Sequence, residues 1–135
     1  MRKPMKDERI TPKVLLVDDD PAIREVVACV LRMEGCSVVE AHSGKSALTM
    51  LANAPEIRLI VSDFQMPDGD GVWLFKNLRA LGNALPFILI TGSSMWTDAQ
   101  ASELGIHRWY SKPFSGAQLE DFVRSVRTLT RDRPR

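Results

Sequence analysis

Polar residues that could take part in chemistry are concentrated at the ends of four of the five short apolar runs of the sequence. They are Asp18, Asp19 and Asp20 after the first run, Asp63 after the third, Thr91 at the end of the fourth, and Lys112 after the fifth. In an open α/β sheet, the carboxyl ends of parallel strands form the crevice where ligands bind. If strand one is central and strand three lies beside it, these side chains converge on one site.

Three carboxylates, from Asp18, Asp19 and Asp63, repel one another strongly in a small cavity unless a cation compensates their charge. A donor set made only of oxygens suits Mg²⁺, which prefers octahedral geometry and keeps several waters. A lysine at the same place supplies a fixed positive charge, and a threonine hydroxyl supplies a hydrogen-bond donor. An aspartate can act as a nucleophile and form an acyl phosphate. The constellation therefore matches what phosphoryl transfer needs, which is positioning and neutralisation of charge.

Other acids in the sequence are better explained by local structure. Asp20 is followed directly by Pro21, which predicts that Asp20 caps a helix. Asp68 and Asp70 lie in a stretch rich in glycine and proline, which is typical of a turn, and Asp70 is well placed to cap the next helix. A threonine or a lysine at a strand end is also common for structural reasons. The joint placement of these residues, rather than any one of them, carries the prediction.

A short apolar run, a turn and a stretch with helical spacing follow one another five times from Lys13 onward. The runs are rich in Val, Ile and Leu and mostly do not alternate in polarity, which suits strands covered on both faces. The predicted strands are Val14–Val17, Ser37–Ala41, Leu59–Ser62, Phe87–Thr91 and His107–Ser111, with the more polar second and fifth nearer the edges. This alternation predicts right-handed crossovers and a doubly wound parallel sheet.

The predicted helices run from Pro21 to a stop at Gly35, then over about Gly44–Asn53, Val72–Leu81, Thr97–Leu104 and Ser115–Thr130. Residues expected to face the core are Ile23, Val26, Val27, Val30 and Leu31 in the first helix, Ala47, Leu48 and Leu51 in the second, Trp73, Leu74, Leu78 and Leu81 in the third, and Leu119, Phe122, Val123 and Val126 in the last. The fourth helix is short and only weakly apolar.

Composition limits the classes of function. Lys and Arg number 18 against 17 Asp and Glu, a net charge of +1, which offers no electrostatic reason for a nucleic acid as the main partner. Cys29 and Cys36 lack metal-ligand spacing and are predicted to be reduced, buried thiols. The apolar runs are far shorter than the roughly 20 residues of a membrane helix. We expect a cytoplasmic protein that binds neither membrane nor DNA directly, with a flexible arm (1–12), one domain (13–130) and a basic tail (131–135).

Four segments, taken together, resemble the receiver domains of two-component response regulators. They are Leu15–Asp20, Val61–Pro67, Leu89–Gly92 and Ser111–Phe114. The resemblance covers about Pro12 to Val126 and implies a flavodoxin-like sheet of order 2-1-3-4-5 flanked by five helices. It also implies a phosphoacceptor signalling domain rather than an enzyme with a separate substrate. Its phosphoryl group would come from a phosphohistidine of a sensor histidine kinase or phosphotransfer protein.

By this resemblance Asp63 is the phosphoacceptor, in a self-catalysed transfer that depends on Mg²⁺. Asp18 and Asp19 are the acidic pair of the metal site, with Asp19 as the direct ligand, and Asp63 and the main-chain carbonyl of Gln65 complete it. Lys112 pairs with the phosphoryl group, and its bond to the following proline is expected to be cis.

The resemblance also implies a switch in the face formed by helix four, strand five and helix five. Thr91 would move toward the phosphoryl group, and Trp109 stands at the switch position, where the family usually has Tyr or Phe. Gly69 is a second departure, because an apolar residue is common at that place. Trp109 could instead be a plain edge-strand aromatic, and Trp73 is expected in the core rather than in the site.

Two other functions are weighed against this one. A pseudo-receiver would be a protein-binding scaffold that is never phosphorylated, and modification by a small phosphodonor with Mg²⁺ distinguishes it. A phosphatase with an aspartyl nucleophile typically opens with a nucleophile in an Asp-x-Asp motif on strand one and carries a cap domain, and we expect neither that order of functional residues nor the length for a cap domain here. His42 and His107 are not on exposed predicted helices, so the donor histidine must lie elsewhere. The cognate kinase, the output partner and a homodimer stay open.

Overall fold

The computed structural model describes residues 11–92, 96–106, 108–112 and 114–131. Five parallel strands form one sheet, in the order β2-β1-β3-β4-β5. The strands are β1 (Lys13–Val17), β2 (Ser37–Ala41), β3 (Ile57–Asp63), β4 (Phe87–Thr91) and β5 (Arg108–Ser111). The predicted order is confirmed, and the two more polar strands lie at the edges. β3 is longer than predicted at both ends, and its last residue is Asp63.

Five helices connect the strands, each beginning after a residue whose side chain accepts a hydrogen bond from the first turn. They are α1 (Pro21–Met33), α2 (Gly44–Ala52), α3 (Gly71–Ala80), α4 (Asp98–Leu104) and α5 (Gly116–Thr130), capped by Asp20, Ser43, Asp70, Thr97 and Ser115. The predicted bounds agree with these to within about two residues. Among the described helices, none is both long enough and apolar enough for a membrane crossing.

Side chains of each strand alternate between two core layers on opposite faces of the sheet. In β1, Leu15 and Val17 pack with α2, α3 and α4, whereas Val14 and Leu16 pack with α1 and α5. All four are at most 1% exposed. Burial on both faces is why the central strands read as continuous apolar runs.

Some residues expected in the core are exposed, so those predictions were wrong. Val26 is 61% exposed and Cys29 is also exposed, because the buried stripe of α1 runs through Val27 and Leu31 and these two residues lie on the face turned away from it. Leu81 is 72% exposed because it is the C-cap of α3 and no longer follows the helix period. Leu119 of the last helix is 36% exposed.

Several predictions fall on residues outside the described ranges. The proposed cis bond involves Pro113, and the first residue of the predicted fifth strand is His107. The N-terminal arm is described only at Thr11 and Pro12, and the basic tail only at Arg131. Those boundaries stay predictions.

Candidate functional site

The three predicted carboxylates lie together at the carboxyl edge of the sheet. Asp63 ends β3, and Asp18 and Asp19 follow β1, which pairs with β3 through Val17 opposite Ser62. One carboxylate oxygen of each acid lies within 4.8 Å of the other two. Asp18 and Asp63 are 4% and 7% exposed, whereas Asp19 is open to solvent. Because β1 and β3 are neighbours, the three acids form an acidic cavity that is open to solvent at Asp19.

Lys112 reaches into the same cavity from the end of β5. Its Nζ lies 3.2 Å from Asp63 Oδ1 and 3.6 Å from Asp18 Oδ2. The Lys112 amide donates to the carbonyl of Thr91 at 2.9 Å, which continues the pairing of β4 and β5 past the last strand residue. This backbone bond fixes the main chain of Lys112 at the end of β5, from which its side chain reaches the acids.

Asp63 is held in an environment that disfavours its charge. Burial, with the negative charge of Asp18, raises the pKa of Asp63 from 3.8 to about 6. The ammonium of Lys112 and the amide of Phe64, which donates to Asp63 Oδ1 at 2.9 Å, only partly offset this. Among the described residues, one lysine thus pairs with two of the three clustered carboxylates, and the cavity is short of positive charge. Its all-oxygen donor set fits a hard divalent cation.

The turn between β1 and α1 has its own hydrogen bonds. The amide of Asp20 donates to Asp18 Oδ1 at 2.9 Å, so one oxygen of Asp18 is oriented from within the turn. The carboxylate of Asp20 accepts from the amides of Ala22 and Ile23. Asp20 is therefore the helix cap that the following proline predicted, and it is not part of the acidic cavity.

The loop after β3 packs tightly at Gly71, a contact that sequence reasoning missed. A Cβ atom there would lie 2.4 Å from the carbonyl oxygen of Asp63 and 2.8 Å from a methyl group of Leu89. The Gly71 amide donates to the carbonyl of Phe64 at 2.8 Å, which folds the loop back onto the strand end. A glycine directly after the helix-capping Asp70 was the available signal. Gln65, whose carbonyl was predicted to bind the metal, is an exposed residue of this loop.

Gly69, the departure from the family pattern, has a structural reason. Its φ is 97°, a left-handed conformation that favours glycine. A Cβ there would lie 2.8 Å from the indole of Trp73, and its carbonyl accepts from the Gly44 amide at 2.8 Å. The loop thus rests on the start of α2. Trp73 packs against the core, as predicted.

Thr91 and Trp109 occupy different positions relative to the cavity. Thr91 ends β4, is fully buried, and follows Ile90, the residue paired with Asp63. Trp109 in β5 is half-buried and donates through Nε1 to Asp98 Oδ1 at 2.7 Å. The indole is therefore attached to the first turn of α4 rather than to the acids.

Trp96, just before α4, is a further aromatic residue near the site whose placement was not predicted. Its ring centroid lies 5.2 Å from that of Phe64 and 6.3 Å from that of Trp109. The side chain is 6% exposed, and its Nε1 has no hydrogen-bond partner among the described residues. A buried donor without an acceptor costs about 1–3 kcal/mol. Trp96 therefore links the residue after Asp63 to the aromatic side chain of β5 through ring contacts.

Comparisons with known proteins agree with this geometry. Residues 14–124 match the family model of the response regulator receiver domain. The chain is 36% identical over 101 residues to the transcriptional regulatory protein GlrR of Escherichia coli, covering 74% of this chain and 22% of that protein. It is 34% identical over 120 residues to the response regulator MprA of Mycobacterium avium, covering 88% and 51%.

A solved structure, the receiver domain of Francisella response regulator 1452, superimposes with a TM-score of 0.76 at 29% identity, covering 88% of this chain and 96% of that one. The chain spans only about a fifth to a half of the length of the two curated relatives. The family match covers the whole acidic cavity and all five strands except Lys13, the first residue of β1, and on that basis the chain belongs to the response regulator receiver domains of two-component signalling.

Proposed function

We propose that this domain accepts a phosphoryl group on Asp63 from a phosphohistidine of a sensor histidine kinase or phosphotransfer protein. The observation that carries the proposal is the Asp63 carboxylate, buried at the carboxyl edge of the sheet with Lys112 Nζ 3.2 Å away. With a pKa of about 6, this carboxylate is mostly ionised at neutral pH and still more basic than an ordinary aspartate. Both properties favour a nucleophile.

In the transfer, a carboxylate oxygen of Asp63 forms a bond to phosphorus while the bond from phosphorus to the donor nitrogen breaks. The histidine leaves with the electron pair of that bond, and an acyl phosphate remains on the aspartate. The ammonium of Lys112 faces the negative charge of the phosphoryl oxygens. Attack of water on phosphorus later restores the carboxylate. The domain therefore catalyses only its own phosphorylation and dephosphorylation.

The carboxylates of Asp18, Asp19 and Asp63 and the carbonyl of Gln65 are the proposed ligands of Mg²⁺. Each of the three carboxylates has one oxygen within 4.8 Å of an oxygen of the other two, in a cavity short of positive charge. Mg²⁺ bound there supplies neutralisation of the charge on the phosphoryl oxygens. Asp18 and Asp19 would hold it beside the acceptor, and Lys112 would add a second positive charge to the site.

The switch is proposed to lie in the face formed by α4, β5 and α5, with Thr91 and Trp109 as its moving parts. Support comes from α4, which buries only Ala101 among its own residues. Elements that move are drawn from the weakly held parts of a structure. The Trp109 indole is hydrogen-bonded to Asp98, the first residue of α4. A movement of the indole is therefore expected to displace α4 with it.

The partners follow from what the domain needs. We infer that the donor histidine belongs to another protein or domain, and that the output partner or domain, rather than this domain, contacts nucleic acid in any longer regulator. A homodimer is one form of the activated state, and light scattering with and without beryllofluoride tests it. We propose a cytoplasmic location, which agrees with two cysteines that are free.

Intact-mass measurement after incubation with acetyl phosphate tests the proposed function. With Mg²⁺ we expect one added phosphoryl group per chain, and with EDTA in place of Mg²⁺ we expect little or none. Absence of the adduct in Mg²⁺, in a protein that is folded by circular dichroism, would favour the pseudo-receiver.

Lys112→Ala should still accept phosphate, slowly, but should fail to pass the change to α4 and β5. The alanine removes the ammonium that compensates phosphoryl charge and links β5 to the site. The measurement is the set of NMR shift changes in α4 and β5 on addition of beryllofluoride. Lys45→Ala, which removes a largely exposed lysine from the neighbouring α2, is the control and should behave like the wild type. Wild-type shifts in Lys112→Ala would contradict the assignment.

A further inference from the structure

Arg24 lies against the site although it is neither an acceptor nor a predicted ligand. Its Nη1 donates to the main-chain carbonyl of Asp18 at 2.7 Å, and its Nε donates to Glu40 Oε1 at 2.8 Å. The side chain is only 21% exposed. Glu40 also pairs with Arg32, at 3.4 Å through its other oxygen. Arg24 therefore joins the turn after β1 to the edge strand β2 through two bonds of fixed geometry.

The carbonyl that Arg24 binds belongs to the peptide group between Asp18 and Asp19. Because a peptide group is planar, holding its oxygen also limits the rotation of the Asp19 amide and the directions in which both side chains leave the backbone. The Asp18 amide is already bonded to the carbonyl of Ala41 at 3.0 Å, and Asp18 Oδ1 accepts from the amide of Asp20. Arg24 supplies the hydrogen bond to the carbonyl, the other polar group of the Asp18 main chain.

We propose that Arg24 is a positioning residue for the acidic pair, holding the Asp18–Asp19 peptide so that both carboxylates face Asp63. The inference rests on the proposed function, since it concerns the Mg²⁺ site and the acceptor. Glu40 serves this role by fixing the guanidinium from the opposite side. Arg24 acts through the backbone and touches neither the metal nor the phosphoryl group.

The charge of Arg24 and its proposed positioning role predict opposite effects on the affinity for Mg²⁺, which makes the proposal testable. The Arg24 guanidinium lies beside the backbone of the acidic pair, and its positive charge repels Mg²⁺, so on charge alone its removal would strengthen metal binding. Loss of a group that orients the ligands weakens metal binding, typically by 10- to 100-fold. The direction of the change in Mg²⁺ affinity therefore distinguishes the two roles of Arg24.

The experiment compares Mg²⁺ titrations, followed by amide NMR shifts, in three variants and the wild type. Arg24→Met removes both donors and keeps the length of the side chain, and its affinity should fall about tenfold or more. Arg24→Lys keeps the charge and one donor and should recover part of that loss. Arg32→Met removes the other arginine on Glu40 and should bind Mg²⁺ like the wild type. An equal or higher affinity in Arg24→Met would overturn the proposal.

A second measurement needs no metal. The Asp20 amide, bonded to Asp18 Oδ1, should exchange with solvent faster in metal-free Arg24→Met than in the wild type or in Arg32→Met. An unchanged rate would overturn the proposal even if the wild type failed to bind Mg²⁺, a failure that would count against the proposed function instead. If Arg24→Met does not fold, Glu40→Ala, which releases the guanidinium at its other end, carries the test. Glu40→Ala should lower the affinity severalfold, and wild-type affinity there would overturn the proposal.

Discussion

Asp63→Asn keeps the mass of the unmodified chain after incubation with acetyl phosphate and Mg²⁺, whereas the wild type gains one phosphoryl group. The amide has no anionic oxygen to attack phosphorus, so the loss should be essentially complete. No neighbouring acid is equally placed, because Asp63 lies nearer to Lys112 Nζ, at 3.2 Å against 3.6 Å for Asp18, and Asp19 is open to solvent. Asp63 is therefore expected to be the single site of phosphorylation.

Asp20→Asn is the matched control for this loss. It makes the same chemical change at an acid of the β1–α1 turn outside the cavity, the cap of α1, and asparagine caps helices about as well as aspartate. The control should be labelled like the wild type. Full labelling of Asp63→Asn would remove Asp63 as the acceptor and move attention to the other acids of the cavity.

Asp63→Asn should also stabilise the metal-free protein. The folded chain binds a proton at Asp63 more tightly than the unfolded chain does, so the stability of the wild type falls as the pH rises from about 4 to about 6. Asp63→Asn lacks this loss, and at neutral pH its free energy of unfolding should be higher by roughly 1–3 kcal/mol. Urea unfolding of both proteins in EDTA, at about pH 4 and about pH 7, measures the difference. Equal pH dependence in the two proteins would contradict the role given to the buried charge.

Asp19→Ala should lower the affinity for Mg²⁺ by about a hundredfold or more and leave the fold intact. Asp19 is the exposed member of the three acids, so its side chain contributes to the metal site and little to the core. Removal of one of three crowded carboxylates also relieves repulsion, and the metal-free variant should melt no lower than the wild type. The measurements are a Mg²⁺ titration by NMR and thermal unfolding in EDTA.

Asp68→Ala provides the control, because it removes an exposed acid from the nearby loop without touching the cavity. It should bind Mg²⁺ with nearly the affinity of the wild type. If Asp19→Ala melted at a much lower temperature without Mg²⁺, Asp19 would be a structural residue of the turn, and the metal assignment would have to rest on Asp18 and Asp63.

The fold could be predicted closely because local signals agree with the tertiary arrangement. Val14 to Val17 is an uninterrupted apolar run, which in a strand can be satisfied only by cover on both faces. Asp20 with Pro21 marks the start of a helix by its hydrogen-bonding chemistry alone. The rotation of a helix about its axis is less well determined, since neighbouring residues differ by about 100°, and Val26 was therefore assigned to the wrong side.

The sequence by itself determined which residues end the strands, and hence that Asp18, Asp63 and Lys112 meet at one edge of the sheet. Only the tertiary structure decided the distances between their side chains, because these residues lie far apart along the chain. The raised pKa of Asp63 depends on its depth of burial and on the charge of Asp18, neither of which a motif contains. The bonds of Arg24 to Asp18 and Glu40 likewise exist only once β2 lies beside β1.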